Sequence, residues 1–168
     1  GEVNMISIRS MDATDYEKVA NIYQQGIDSK QCTFETEVPT WESFDQGHLQ
    51  YPRLVAVDEQ GQVCGFIVLS LMSSRRCFRG VAEISIYLDR AYTGQGIGRT
   101  LMNEMITQSE EAGIWSLFSG IFPENKASIA LHQRCGFREI GYREKMGESE
   151  DGTFRDVIFF ERRSQTIG

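Results

Sequence analysis

The sequence predicts a mixed α/β fold, a mostly antiparallel central sheet of six to seven strands flanked by about four helices, in a single domain over residues 1–168. Three observations carry this. A chain of 168 residues is long enough to bury one sizeable core and too short to need a second domain. Two β-rich stretches are interrupted by turn sequences, Asp58-Glu59-Gln60-Gly61 and Glu148-Ser149-Glu150-Asp151-Gly152-Thr153, which predicts hairpins. Between them a strand, a glycine turn and an apolar-striped run follow one another, which predicts a parallel crossover.

Along the chain, Ile6 and Ile8 open a short strand, and Asp12 caps a helix carrying Val19, Ala20, Ile22 and Tyr23 on one apolar face. Residues 29–38 show no period. Pro39 suits the first position of a second helix running through Trp41 and Phe44 toward Leu49. Leu54–Val57 and Val63–Leu69 are strands, joined by the first hairpin turn. Ser73 to Gly80 is a polar connection holding Arg75, Arg76 and Arg79, and Val81–Leu88 is the next strand. Ile97, Leu101, Met102, Met105 and Ile106 then recur at helical spacing, with Gly113 placed to end that helix. Trp115–Ile121 is a strand; Asn125 caps a further helix with Gly136 as its stop, and residues 140–160 form the second hairpin.

Composition narrows the function. Seventeen basic against 24 acidic residues give a net charge of −7, which argues against a broad nucleic-acid footprint and makes any anion site local. No apolar run reaches the ~20 residues of a membrane span, and no basic-then-apolar leader opens the chain, so a cytoplasmic location without membrane attachment is expected. Gly1 to Asn4, ahead of Met5, read as a cloning remnant. Cys32, Cys64, Cys77 and Cys135 are scattered, and His48 and His132 are the only histidines; no metal site is expected, and the thiols are read as reduced and packed.

The glycine turn Thr93-Gly94-Gln95-Gly96-Ile97-Gly98-Arg99 carries the functional signal. A turn of this kind opening a helix aims backbone N–H groups and the helix dipole at an anion. A Walker A loop would need Lys-Ser/Thr where Arg99-Thr100 stands, and a dinucleotide fingerprint would need glycine at position 99. A tight turn without a ligand is the bland alternative, although three glycines in five residues weaken a helix start unless close backbone approach requires them. The run resembles the signature with which the GNAT superfamily of N-acetyltransferases wraps the pyrophosphate of coenzyme A, departing at Thr93, where that family usually has Gln or Arg. Pro123-Glu124-Asn125-Lys126-Ala127-Ser128-Ile129-Ala130-Leu131-His132-Gln133-Arg134-Cys135-Gly136-Phe137 resembles the family's helix beside the pantetheine arm. The resemblance implies an acetyl-CoA cosubstrate contacted by Ile86, Tyr87, Leu88, Thr93, Gly94, Gln95, Gly96, Ile97, Gly98, Arg99, Asn125 and Ser128. Without it, Asn125 is simply a helix cap.

Acetyl transfer to an amine needs the amine neutral, the oxyanion stabilised and a proton for the departing thiolate. Side-chain alternation places Ala82, Ile84, Ile86 and Leu88 on one face of their strand and Val81, Glu83, Ser85 and Tyr87 on the other. The first set faces a helix and Glu83 faces a semi-polar cleft, where burial would raise its pKa as a base requires. Read alone, Glu83 is better explained as a glutamate on a solvated strand face. Ala82-Glu83-Ile84-Ser85-Ile86-Tyr87-Leu88 is similar to the Glu-x-Ser-Val-Tyr segment of the phosphinothricin acetyltransferase-like branch, which implies that Glu83 is the base. His132 stands where many family members carry a tyrosine acid; the alternative is a histidine hydrogen-bonded on its helix.

Thr33-Phe34-Glu35-Thr36-Glu37-Val38-Pro39 resembles the branch's loop over the acceptor, with Glu35 in place of an arginine, and Phe154-Arg155-Asp156-Val157 resembles its Trp-His-Asp-Val. Phe34, Glu35, Thr36, Arg75, Phe78, Arg79 and Asp156 are therefore the implied acceptor-binding residues, with Arg75, Arg76 and Arg79 able to grip a carboxylate or simply to form a solvated basic loop. The implied activity is transfer of acetyl from acetyl-CoA to the α-amino group of a small amino acid or an analogue such as phosphinothricin or methionine sulfoximine, by a homodimer. Acetylation of a polyamine or a protein N-terminus, and non-catalytic binding of acetyl-CoA, are the alternatives.

Overall fold

The structure is a computed structural model and describes residues 5–168; Gly1 to Asn4, read as a cloning remnant, lie outside the described residues. In chain order the elements are β1 (Ser7–Ser10), α1 (Tyr16–Ser29), α2 (Trp41–Gly47), β2 (Leu54–Val57), β3 (Val63–Leu71), β4 (Val81–Leu88), α3 (Ile97–Glu111), β5 (Ser116–Ile121), α4 (Lys126–Arg134), β6 (Arg138–Glu148) and β7 (Phe154–Arg163). The strands form one sheet in the order β1-β2-β3-β4-β5-β7-β6. Every neighbouring pair is antiparallel except β4 with β5, whose connection is the crossover through α3. The expected mixed, mostly antiparallel sheet and its flanking helices are present.

Local chemistry sets the boundaries. Asp12 closes a capping box on the turn that leads into α1, accepting from Thr14 N–H at 2.9 Å while its own N–H reaches Asp15 at 2.9 Å. The expected helix start at Pro39 is corrected. Thr40 is the cap of α2, its Oγ1 accepting from Ser43 N–H at 3.2 Å, while the Pro39 carbonyl lies outside the helix and accepts from the Tyr16 hydroxyl at 2.5 Å. A side-chain acceptor satisfies a first-turn donor, which proline at that position cannot do. Gly113 and Gly136 follow α3 and α4 at φ 85° and 87°, the left-handed conformation that ends a helix and that glycine adopts without a Cβ penalty.

Two apolar layers grip the sheet. On one face Leu54, Ile67, Leu69, Ala82, Ile84, Leu117 and Phe160 pack under Ile97, Leu101, Met102 and Met105 of α3. On the other, Val55, Phe66 and Val68 pack under Val19 and Ile22 of α1 and Phe44 of α2, with Tyr23 and Tyr87 partly buried beside them. Each fully buried Leu, Ile or Met contributes on the order of 1.5–3 kcal/mol. The two strips of β4 thus face different helices, Ala82 and Ile84 toward α3, Glu83 and Tyr87 toward α1. No helix among the described residues is long and apolar enough to cross a membrane.

Candidate active site

The site begins where the sheet stops pairing. The parallel ladder between β4 and β5 joins Val81 with Ser116, Ala82 with Leu117 and Glu83 with Phe118, and ends there. β4 runs on to Leu88 and β5 to Ile121. Along this gap the backbone groups on the facing edges lack a strand partner, and such groups seek water or a ligand.

The glycine turn stands at the end of β4 and opens α3. Gly94 and Gly96 have φ of 79° and 77° with open space where a side chain would stand, so the turn demands glycine for its backbone while leaving its surface clear. α3 has no side-chain cap and no acidic residue in its first turn. Its first-turn N–H groups and positive dipole end therefore suit an external anion, with the exposed Arg99 guanidinium adjoining them. Gly98 serves another purpose: it is buried, and a Cβ there would lie 3.2 Å from Leu131 and 3.4 Å from Leu88, so its bareness lets α3 approach α4 and β4. Thr93 Oγ1 donates to the Arg90 carbonyl at 3.1 Å, and the Ile97 side chain is in the core.

Ile86 and Leu88 pack partly buried against the α3 layer. The Tyr87 ring lies on the opposite face, stacked on Tyr23 at 5.0 Å and Phe66 at 5.3 Å. For a ligand in the gap, Tyr87 therefore has only its main chain to offer. Burial raises the Tyr87 hydroxyl pKa strongly and pushes that of Tyr23 up to about 12, so both remain donors.

Glu83 is in register with Ser70 of β3 and Phe118 of β5, at the point where the gap opens. Its side chain reaches solvent, yet the surrounding protein thins that solvent enough for desolvation to raise its carboxyl pKa. No ion pair among the described residues opposes this shift.

His132 requires a correction. It is 1% exposed, under α4 on the face opposite Glu83. Nδ1 lies 2.7 Å from the Ser128 carbonyl, which can only accept, so Nδ1 carries the hydrogen and Nε2 accepts from Ser119 Oγ at 2.9 Å. Desolvation lowers its pKa. A neutral ring with both nitrogens occupied holds α4 against β5 and has no proton directed at a thiolate. Asn125 caps α4, its Oδ1 accepting from Ser128 N–H at 3.2 Å.

The acceptor candidates divide into groups. Phe34, Glu35 and Thr36 line a cavity of about 530 Å³ with Ile27, Lys30 and Thr33 on their side, and Glu150, Asp151 and Arg155 of the β6–β7 hairpin on the other. That second wall has no contiguous motif, and the only sequence signal for it was the altered pair before Asp156. Arg75 and Arg79 lie elsewhere: Arg75 stacks over Phe78 at 5.3 Å and Arg79 over Trp115 at 5.3 Å, and none of the three lines the cavity. Asp156 is also redirected. Its carboxylate accepts from the Tyr142 hydroxyl and, at 2.7 Å, from Lys145 N–H, bracing an irregularity in β6. Alternation places it with Ile158 and Phe160, on the α4 face.

All four cysteines are free, and the buried pair, Cys64 and Cys135, have thiol pKa values raised by desolvation, that of Cys64 to about 11. These two are packing groups, whereas Cys32 and Cys77 are exposed, against the expectation that every thiol is packed.

Known acetyltransferases resemble this chain in sequence and in fold. YwnH of Bacillus subtilis, provisionally named a phosphinothricin acetyltransferase, is 36% identical over 140 residues, 81% of this chain and 86% of its own. The L-methionine sulfoximine/L-methionine sulfone acetyltransferase of Pseudomonas paraeruginosa is 30% identical over 162 residues, 92% of each chain. A GNAT superfamily phosphinothricin acetyltransferase from Sinorhizobium meliloti, solved in complex with acetyl-CoA, superposes with a TM-score of 0.84 at 27% identity, covering 96% of this chain and 89% of that one. The acetyltransferase (GNAT) family model matches residues 17–137, most of the chain including the gap, the glycine turn and α4; the protein belongs to that family, as an acetyltransferase of its phosphinothricin acetyltransferase-like branch.

Proposed function

We propose that the protein transfers acetyl from acetyl-CoA to the α-amino group of a small amino acid or an analogue of the phosphinothricin and methionine sulfoximine type, with Glu83 as general base. The observation that carries this is the placement of Glu83 at the mouth of the β4–β5 gap, on the sheet face that also carries the cavity wall at Arg155. The residues fit the donor. The bare glycine turn and the uncapped N-terminus of α3 suit a pyrophosphate, and the unpaired edge of β4 can hydrogen-bond an extended amide-bearing arm as a strand would. Bound there, the thioester supplies an activated acyl carbon.

An alkyl ammonium of pKa ~10 is mostly protonated at neutral pH. Glu83, with its raised pKa, is the group placed to take that proton, directly or through one water. Main-chain N–H groups beyond Glu83 are the available oxyanion donors. With His132 withdrawn into the core, the thiolate takes its proton from solvent. Direct attack on the thioester requires no acyl-enzyme, and both buried cysteines are unsuited to one.

Glu35 in the cavity wall disfavours acceptors with a second acidic group near that loop. Among neutral amino acids, phosphinothricin, methionine sulfoximine and simple polyamines, acetyl-CoA-dependent thiol release is expected with the α-amino acids, and among them least with phosphinothricin, whose phosphinate is a second acidic group. Release with polyamines alone would overturn this reading. We also read the protein as a cytoplasmic homodimer: β6 is an edge strand with Ile140, Tyr142 and Met146 exposed, the kind of edge that invites pairing. Light scattering should give twice the 19.1 kDa of one chain, and a monomer mass would refute it.

A further inference from the structure

Arg155 replaces the histidine of the branch's motif, and its surroundings explain what an arginine does there. It rises from β7 on the same sheet face as Glu83, by alternation through Phe159 and the register of Phe118 with Glu161. Its guanidinium lies 3.6 Å above the centre of the Phe122 ring, just past the end of β5 and beyond Phe118, where the β4–β5 ladder stops. Nη1 donates to the Lys30 carbonyl at 2.5 Å, and Nη2 meets Glu124 at 3.3 Å. The side chain is only 18% exposed.

Lys30 is the C-cap of α1, in the left-handed conformation at φ 60° that lysine seldom adopts. The last turn of α1 contains no basic residue of its own. Arg155 therefore supplies a side-chain donor to the carbonyl that closes this helix, and it does so from the other wall of the cavity. The loop that leaves Lys30 carries Phe34, whose ring meets Phe122 edge-on at 4.8 Å and lies against Gly147 of β6, where a methyl would stand 2.4 Å from Phe34 Cζ. One guanidinium thus joins the loop wall of the cavity, its hairpin wall and the segment that follows β5.

We propose that Arg155 is a positioning residue, a latch that fixes the loop of Phe34, Glu35 and Thr36 relative to the acyl donor and so sets the affinity for the acceptor amine. This rests on the function proposed above. It acts through the loop, by the Nη1 bond to Lys30 and the Nη2 bond to Glu124, and need not touch the acceptor itself.

The test measures both substrates and the loop together. In Arg155→Ala the acceptor KM should rise about tenfold or more while the acetyl-CoA KM stays within about twofold, the split expected when only acceptor binding is disturbed. Amide hydrogen exchange should quicken in residues 30–38 and stay unchanged in α3 and β4. Arg155→Lys, which keeps the charge, should recover part of the effect. Gly147→Ala, which displaces Phe34 without altering charge, should raise the acceptor KM in the same direction. Equal changes in both KM values, or exchange that quickens throughout the chain, would overturn the latch and leave Arg155 a general stabiliser. If the wild-type protein acetylates none of the amino acids, the functional proposal fails, and the exchange experiment alone decides the latch: quickening confined to residues 30–38 supports it, and no change there refutes it.

Discussion

The two faces of the sheet at the β4–β5 junction treat their ionisable groups in opposite ways. On the α1 face Glu83 reaches solvent, and partial desolvation moves its pKa up. On the α4 face His132 is sealed, its two nitrogens tied to Ser128 and Ser119, and desolvation moves its pKa down. One physical cause, loss of water, prepares the carboxylate for proton transfer and withdraws the imidazole from it. Accessibility decides which of the two can act. In the proposed function the donor lies along the edge between the faces and the acceptor approaches on the open one.

Removing the carboxylate from the open face is the sharpest way to break this contrast. Glu83→Gln keeps the shape and deletes the base, so kcat should fall by about 10²–10⁴-fold while calorimetry shows unchanged acetyl-CoA binding. A kcat within threefold of wild type would mean that Glu83 only lines the strand. The next effect belongs to the edge the two faces share. Gly96→Asp forces a side chain into a left-handed turn and sets a negative charge against the anion site, and should weaken acetyl-CoA binding by about 10–100-fold, roughly 1.4–2.8 kcal/mol. Unchanged affinity would remove the pyrophosphate from the turn.

Much of the molecule could be read before its structure, for a local reason. The strands and helices carry strong periods, and their ends carry caps that act within four residues, as at Asp12, Asn125, Gly113 and Gly136. The conformation of the glycine turn was legible because it resides within five residues. What escaped depends on parity and on distance along the chain. His132 and Asp156 were assigned to the chemistry from motif position, and both face the α4 side; nothing in a linear motif says which way a helix is rotated or which strand face a residue occupies once β6 becomes irregular. The end of the β4–β5 ladder at Glu83 is a property of two strands some thirty residues apart. The hairpin wall of the cavity and the Arg155 contact with Lys30, separated by 125 positions, have no local signal beyond an exchanged residue in one motif.

The smallest effects are thermodynamic, and they test the sealed face most directly. In the unfolded chain His132 titrates near its ordinary 6.5, whereas in the folded protein its pKa is lower, so below pH 6.5 the unfolded state binds a proton that the folded state refuses. The stability due to His132 is therefore complete above pH 6.5 and is lost as pH falls toward the folded pKa, at about 1.4 kcal/mol per unit of difference. Glu83 has the opposite sign. Its folded pKa lies above the ordinary 4.5, so its contribution is present below pH 4.5 and is lost as pH rises through the folded value. His132→Gln should lower Tm at pH 7.5 and close part of its gap to wild type by pH 5, with kcat of the folded enzyme retained. Glu83→Gln should gain in Tm relative to wild type between pH 4.5 and 7.5. Subtracting each variant's curve from the wild type's removes the contribution of His48, which shares the lowered direction. A gap for His132→Gln that does not change with pH would show a ring already open to solvent, and with it the contrast between the two faces would disappear.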